Sequence, residues 1–433
     1  MSDIRERLNR LKSSSPGIKG DEQRELISDL RSRIDRVMKR STREERKQRT
    51  PYQGPGIEAL VPGKIIPCES CEVFVARREH ETNYLHGNIR LENIYQESLE
   101  VFGEISNHPE LSDMDPDQAV FIDTETTGLS GGTGTYAFQV GIGFFDQGKF
   151  VVEQYLMRDQ AEETEMLSLL RERLSRFRFL VSFNGKSFDI PLLESRFILS
   201  RIGHDVLDLP HLDLLYPARR IWKRSLESCR LSNLEQELLG LERLDDVPGE
   251  LIPGIYFQYL DDGDPTRMER VFYHNRLDIL SLVTLTVLIH RLVTDKAAYC
   301  RRDGMEQYSL GRIHFDRGRL DDAVACLKSA LTSCTYTEQE WEVMKHLSIV
   351  YKRSGELTLA VQAWKDMIGI DADRGLFPFI ELAKYYEHRE KDYERAEGFA
   401  RRAEMANQYL HAVNPEEIEH RIHRLRKKQE KDI

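Results

Sequence analysis

Residues 121–145 read FIDTETTGLSGGTGTYAFQVGIGFF, two carboxylates one residue apart followed by a cluster of glycines. Either the glycines cradle a phosphate, or Asp123 and Glu125 carry the chemistry and the glycines only turn the chain. The segment GGTGT lacks the Gly-Lys-Ser/Thr ending of a P-loop and the GxGxxG spacing of a dinucleotide fold. On a strand, residues two apart share a face, so Asp123 and Glu125 point the same way and Thr124 the other. Carboxylates held side by side repel unless a cation lies between them. A hard divalent ion, Mg²⁺ or Mn²⁺, is the natural partner because it takes oxygen ligands. The apolar run that leads straight into the pair marks a buried strand, with the acids at the end of a sheet rather than on an open flank. The glycines then turn the chain into an antiparallel strand, TYAFQVGIGFF, and Gly128 leaves room for a substrate to approach the backbone.

Two more acids stand in revealing places. In LVSFNGKSFDIPLL, Asp189 sits at the mouth of a helix after a buried strand. In FYHNRLDILSLVTL, Asp278 interrupts an otherwise apolar helix, where a lone acid costs stability unless it is paired or bound to metal. His274 lies four residues earlier on the same helical face, a position suited to a general base that takes a proton from an attacking water.

Taken together, DTETTG, FNGKSFDIPLL and YHNRLD resemble the motifs of the DEDD 3′→5′ exonucleases, which have the ribonuclease-H-like fold. The segments HLDLLYPARRIW, LSNLEQELLG and VPGELIPGIYFQYL are similar to the YprB-like group within that superfamily, and the resemblance covers roughly residues 60–295. It implies a metal-dependent nuclease acting on single-stranded 3′ ends of DNA or RNA, with two divalent ions held by Asp123, Glu125, Asp189 and Asp278. In the relatives with a histidine base, that histidine lies one residue further from the last aspartate; the shorter spacing belongs to those with a tyrosine. Here His274 stands at the tyrosine spacing and Tyr273 at the histidine spacing. Helix geometry favours His274, which faces Asp278 from one turn away; Tyr273 is the alternative base or a contact to substrate. Thr124, Gly128, Asn184 and Lys186 are the other candidates for substrate contact. Asp213 in HLDLL is a candidate support for the site, and Arg219, Arg220, Lys223 and Arg224 form a basic run able to follow a phosphate backbone or simply to face solvent. His204, His211 and His290 read as ordinary core or surface histidines.

The remaining pattern sets the organisation. AVFIDTET and TYAFQVGIGFFDQGKFVVEQYLM form a meander divided by DQG, after which strands alternate with helices: an α/β domain with a mixed sheet flanked by helices. Beyond residue 300 the chain turns all-helical. Three segments align, with Ala323, Ala360 and Ala396 in equivalent places and Gly318, Gly355 and Lys391 at the turns. The layout resembles tetratricopeptide repeats, which implies binding of a protein partner. The expected parts are a basic, partly helical or disordered region at 1–60, the ribonuclease-H-like domain at 61–295, the helical repeats at 300–412 and a basic, frayed tail at 413–433.

The chain of 433 residues is 40% hydrophobic and 31% charged, a soluble globular mix. No apolar run is long enough to suggest a membrane span, and the charged N-terminus lacks a secretory core, so a cytoplasmic location is expected. Residues 1–50 hold 15 Lys+Arg against 9 Asp+Glu although the whole carries −11, so a basic patch on an acidic protein remains open to nucleic acid. The six cysteines do not form a disulfide framework, and the lone CxxC of Cys68 and Cys71 has no second pair for zinc. Two rival functions stand beside the exonuclease: a structure-selective endonuclease on the same fold, and a nucleic-acid-binding adaptor with an inactive nuclease domain and protein-binding repeats.

Overall fold

The computed structural model describes residues 52–106, 108–128, 134–294 and 303–432. Most of the basic N-terminal region and the centre of the glycine cluster lie outside them. Seven strands form one sheet: β1 Gly63–Pro67, β2 Glu72–Glu81, β3 Ala119–Thr126, β4 Ala137–Asp146, β5 Lys149–Leu156, β6 Phe179–Ser182 and β7 His211–Asp213. Their order is β1-β2-β5-β4-β3-β6-β7. The pairs from β1 to β3 are antiparallel, whereas β6 adds parallel to β3 and β7 parallel to β6. The hairpin between β4 and β5 turns on Gln147 and Gly148, both at positive φ as a tight two-residue turn demands.

Helices cover both faces, so β3 is buried on both sides: Phe121 packs into one core cluster, Val120 and Ile122 into the other. One face holds α1 Glu163–Leu174 and α2 Asp189–Leu199 through Met166, Leu170, Leu193 and Phe197. The other holds α3 Leu215–Trp222 and most of α5 Met268–Thr294 through Trp222, Ile279 and Val283. Between them in sequence, α4 Ile252–Asp262 stacks Tyr256 on Phe138 of β4, ring centroids 3.9 Å apart. By length and composition α5 could cross a membrane, but 78% of its most apolar window is buried in the protein, as befits the core helix of a domain. It lies close on β4 because Gly141 and Gly143 have no side chain: a Cβ at Gly141 would collide with Asn275, and one at Gly143 with Ile279. These two glycines of the QVGIGFF run seat the helix that carries His274 and Asp278.

The helical region contains α6 Gly304–Asp316, α7 Leu320–Ser333, α8 Thr337–Ser354, α9 Leu357–Ile370, α10 Phe377–Tyr385, α11 Tyr393–Leu410 and α12 Pro415–Asp432. Ala323, Ala360 and Ala396 are all fully buried. Gly318, Gly355 and Lys391 all adopt positive φ at the turns, so the lysine takes the glycine's conformation at some steric cost. The expected mixed sheet with flanking helices, followed by a helical region, is what the chain forms. Two expectations about its ends are corrected. The stretch 413–432 is not a frayed tail: α12 buries Ile418, Ile422 and Leu425, and its Arg424 and Lys428 reach the buried Glu387 at 2.7 and 2.9 Å. The body also begins before residue 61, because Ile57, in a short helix Ile57–Leu60, packs into the core.

The two regions share a core. Leu310, Ile313 and Cys326 pack in one cluster with Trp222, Leu282 and Leu285. Ion pairs Arg220–Asp316 at 2.6 Å, Arg224–Glu342 at 2.9 Å and Arg317–Glu104 border that seam.

Candidate active site

Three elements bring the acids together. The C-terminal half of β3 supplies Asp123 and Glu125, the first residue of α2 supplies Asp189, and α5 supplies Asp278. A register shift at Glu125/Thr126 ends the regular pairing of β3 with β4 at the point where the acids emerge. Thr124, on the opposite side by alternation, nevertheless donates its hydroxyl to Asp189. Asn275, next to His274, donates to Asp123 Oδ2 at 2.8 Å and accepts from Gln154 of β5 at 2.8 Å. An oxygen of Glu125, a ring nitrogen of His274 and an oxygen of Asp278 lie within 4.8 Å of one another.

The turn before α2 is braced from β7. Asn184 takes positive φ, and Asp213 accepts from the backbone N–H groups of Asn184 at 2.7 Å, Lys186 at 3.1 Å and Leu215 at 3.1 Å. Asp213 therefore holds the FNGK turn in the shape that presents Asp189. Lys186 extends to His108 Nε2 at 3.3 Å, and burial lowers its ammonium from the ordinary value. Phe188, between Lys186 and Asp189, is largely exposed. Gly128 accepts from Thr126 Oγ1 at 2.9 Å, and a Cβ there would meet Thr135 Oγ1 at an ordinary contact distance of 3.7 Å.

The carboxylates are short of positive charge. Burial, then the facing Asp278 and Asp189, push Asp123 well above the usual carboxylate range. Burial, then Asp123, Asp278, Asp189 and Asp246, do the same to Glu125. Burial raises Asp189 to about 6 even though the Thr124 hydrogen bond works against it. Among the described residues one cation enters the group: Arg243 pairs with Asp278, and with the buried Glu235 at 2.6 Å. A divalent ion fits what is left, because the acids offer oxygen donors to a hard cation and their mutual repulsion calls for one.

His274 is held at both nitrogens. Nδ1 lies 2.8 Å from Asp246 Oδ2 and Nε2 lies 3.4 Å from Asp278 Oδ2. Arg243 also approaches Nδ1, at 3.3 Å. A guanidinium can only donate, and Nδ1 cannot both accept from it and donate to Asp246; the two Asp246 oxygens at 2.8 and 3.0 Å assign the proton to Nδ1. Burial opposes a charged ring, but Asp278 and Asp246 outweigh it and raise the imidazole above its ordinary value. Tyr273 is directed elsewhere: its ring lies under Arg276 at 5.3 Å, and it is not part of the Glu125–His274–Asp278 group.

Comparison with known proteins now bears on this geometry. The chain is 30% identical over 310 residues to the uncharacterized protein YprB of Bacillus subtilis (strain 168), spanning 71% of this chain and 74% of that one. The chain belongs to the YprB family. Residues 120–290, which contain every acid of the site, match the model of the RNase_H superfamily, and the mixed sheet agrees with that fold. The solved family B DNA polymerase from the hyperthermophilic archaeon Pyrobaculum calidifontis is similar over 55% of this chain and 29% of its own, at 13% identity and a TM-score of 0.34. A ribonuclease-H-like domain points to nucleic acid as substrate and to divalent metal as the usual cofactor of its nucleases.

Four participants escaped the sequence reading: Arg243, Asp246, Asn275 and Gly141. Asn275 and Gly141 lie inside quoted motifs, but nothing in their spacing ties them to Asp123. Arg243 and Asp246 come from LERLDDVPGE, a loop without periodicity, and only the tertiary fold brings it to His274. His211 lies 2.7 Å from Ser182 Oγ and His290 2.8 Å from Glu97.

Proposed function

We propose that the protein is a metal-dependent nuclease, a 3′→5′ exonuclease that holds two Mg²⁺ or Mn²⁺ ions on Asp123, Glu125, Asp189 and Asp278. One observation carries the reading: four carboxylates from three separate elements converge, with one guanidinium among them and a histidine on their rim. When bound, the metal supplies positive charge to the phosphate and to the departing oxygen. The chain's own part is the proton. His274, with Nδ1 donated to Asp246, keeps Nε2 as an acceptor on the carboxylate side. There it takes the proton of a water that attacks phosphorus, as the bond from phosphorus to the 3′ oxygen breaks. Asp213 keeps the turn of Asn184 and Lys186 rigid, so Lys186 presents its charge beside the reacting end. Gly128, having no side chain, lets the substrate backbone approach, and Tyr273 is a contact further out. We place the enzyme in the cytoplasm, with the tetratricopeptide-like helices as the docking site of a protein partner.

A second reading has an observation in its favour. Arg243 already pairs with Asp278, which suits a domain that binds nucleic acid with little or no cleavage. One experiment separates them. Full-length protein with Mg²⁺ or Mn²⁺ is incubated with 5′-labelled oligonucleotides of DNA and RNA, single and double stranded, and with a closed circular strand. Stepwise shortening, lost with EDTA and in Asp123→Ala, is the expected result. Binding without shortening moves the assignment to the adaptor, and cutting of the circle moves it to an endonuclease.

A further inference from the structure

The seam between the α/β domain and the helical region contains a cavity of about 180 Å³ lined by Arg219, Arg220, Lys223, Arg224, Ser309, Arg312 and Asp316. Five of these seven are cations. Asp316 pairs with Arg220 and Glu342 with Arg224, so Arg219, Lys223 and Arg312 have no carboxylate partner among the described residues. Arg219 and Lys223 sit near the C-terminus of α3, where the helix dipole favours positive charge. That explanation does not reach Arg312, which comes from the other region, in the middle of α6. Its guanidinium lies 5.8 Å from the centroid of the buried Tyr308 ring, and that of Arg224 lies 5.3 Å from the same centroid. One ring therefore fixes two guanidinium groups at the cavity wall before any ligand arrives. Like charges so held repel one another, and an anion relieves the repulsion. A water takes about 30 Å³ of liquid, so the space accommodates a phosphate group with part of its hydration.

The position says which anion. The helix that carries Arg219 and Lys223 starts at Leu215, whose N–H is bound by the same Asp213 that shapes the turn before Asp189. Eight residues of helix rise about 12 Å, so the cavity stands a short span of single strand away from that turn. We propose that this interdomain cavity is a second phosphate site: it grips the sugar-phosphate backbone of a single-stranded nucleic acid upstream of the end held at the carboxylates. The proposal rests on the nuclease reading for the location of that end. It also gives the helical region a part in substrate binding through Arg312.

The test uses the full chain and fluorescein-labelled single-stranded oligonucleotides of graded length, in EDTA, with binding followed by anisotropy across a KCl series. The variant Arg219→Gln/Lys223→Gln/Arg312→Gln changes exposed positions and is checked for an unchanged melting temperature; Arg312→Gln alone serves as the milder variant. The expected result is that wild-type affinity grows with oligonucleotide length and that the triple variant loses this gain, binding the longest strand about tenfold or more weakly. Each lost phosphate contact on a single strand lowers the slope of log K against log salt by about 0.7, so the slope falls by about 2. An unchanged length dependence and slope overturns the proposal. So does a site saturated by inorganic phosphate alone, lost in the variant while oligonucleotide binding stays as it was. Failure of the nuclease reading looks different: with Mg²⁺ or Mn²⁺ the wild type would bind oligonucleotides without shortening them, whatever the cavity variant does.

Discussion

Asp246 accepts from His274 Nδ1 at 2.8 Å, and the same ring turns Nε2 toward Asp278 at 3.4 Å. The histidine is thus fixed in one tautomer by a residue that is neither on its helix nor near it in sequence. His274→Ala is expected to slow hydrolysis by about 10²–10⁴-fold, the usual range for a positioned base. Asp246→Asn should cost less in rate and should also move the pH profile. Asp246 helps raise the imidazole, so its removal lowers it, and the acid limb of activity, which rises as His274 loses its proton, shifts to lower pH. Oligonucleotide shortening measured from pH 5 to 9 checks both; a profile that keeps its acid limb in Asp246→Asn would falsify the dyad.

Gly141 is where β4 closely approaches α5. A methyl there collides with Asn275, the donor to Asp123. Overpacking of this kind costs about 1–3 kcal/mol, so Gly141→Ala should unfold at lower urea concentration and bind metal more weakly. Gly398, in the middle of α11 with nothing near it, provides the opposite case. Gly398→Ala should stabilise by about 0.5–1 kcal/mol, because alanine is the better helix former. Equal effects of the two substitutions in urea unfolding would leave the close-packing argument without support.

Arg243 joins two buried acids, Glu235 and Asp278. Glu235 is almost wholly enclosed, with Ser281 as a further donor. Removing the arginine strands a buried charge, at a cost of about 3–5 kcal/mol. Arg243→Met is therefore expected to be among the more damaging substitutions outside the metal carboxylates. Glu235→Gln in the same chain should restore much of the loss. Urea unfolding of the single and double variants measures the difference, and a double variant no better than Arg243→Met would show that the pair does not act as a unit.

How much of this was readable in advance follows from where the signals lie. Asp123 and Glu125 stand out because a strand alternates, and Asp278 because an acid on an apolar helix is costly; both are local facts. The loop of Arg243 and Asp246 carries no period, so its approach to His274 is invisible without the fold. Lys391 stands where the other two repeats have glycine, yet it adopts the same left-handed turn as Gly318 and Gly355, since the packing of the flanking helices outweighs a modest backbone strain. The C-terminal stretch was misread for a related reason: Ile418, Ile422 and Leu425 keep helical spacing, but the basic residues among them hid the face that packs.

The acids also predict how metal and pH act together. Asp123, Glu125 and Asp189 are raised in the folded chain, Asp189 to about 6. Between the unfolded carboxylate range and these values the folded state binds more protons than the unfolded one. Stability from these groups is then full at low pH and falls as pH rises through about 6. In EDTA, the wild type should lose stability across this window relative to Asp189→Asn, in which one of the three titrating carboxyls is gone. Mg²⁺ or Mn²⁺ competes with those protons, so the gain in melting temperature on adding metal should be small at pH 5 and large at pH 8. At a hundredfold excess over Kd the gain is about 2.7 kcal/mol, or about 3 °C for a chain of this length. Calorimetry of wild type and Asp189→Asn, with and without metal at both pH values, gives the measurement. A metal-induced shift that is the same at pH 5 and pH 8, or the same in the variant, would mean the ion binds somewhere other than these carboxylates.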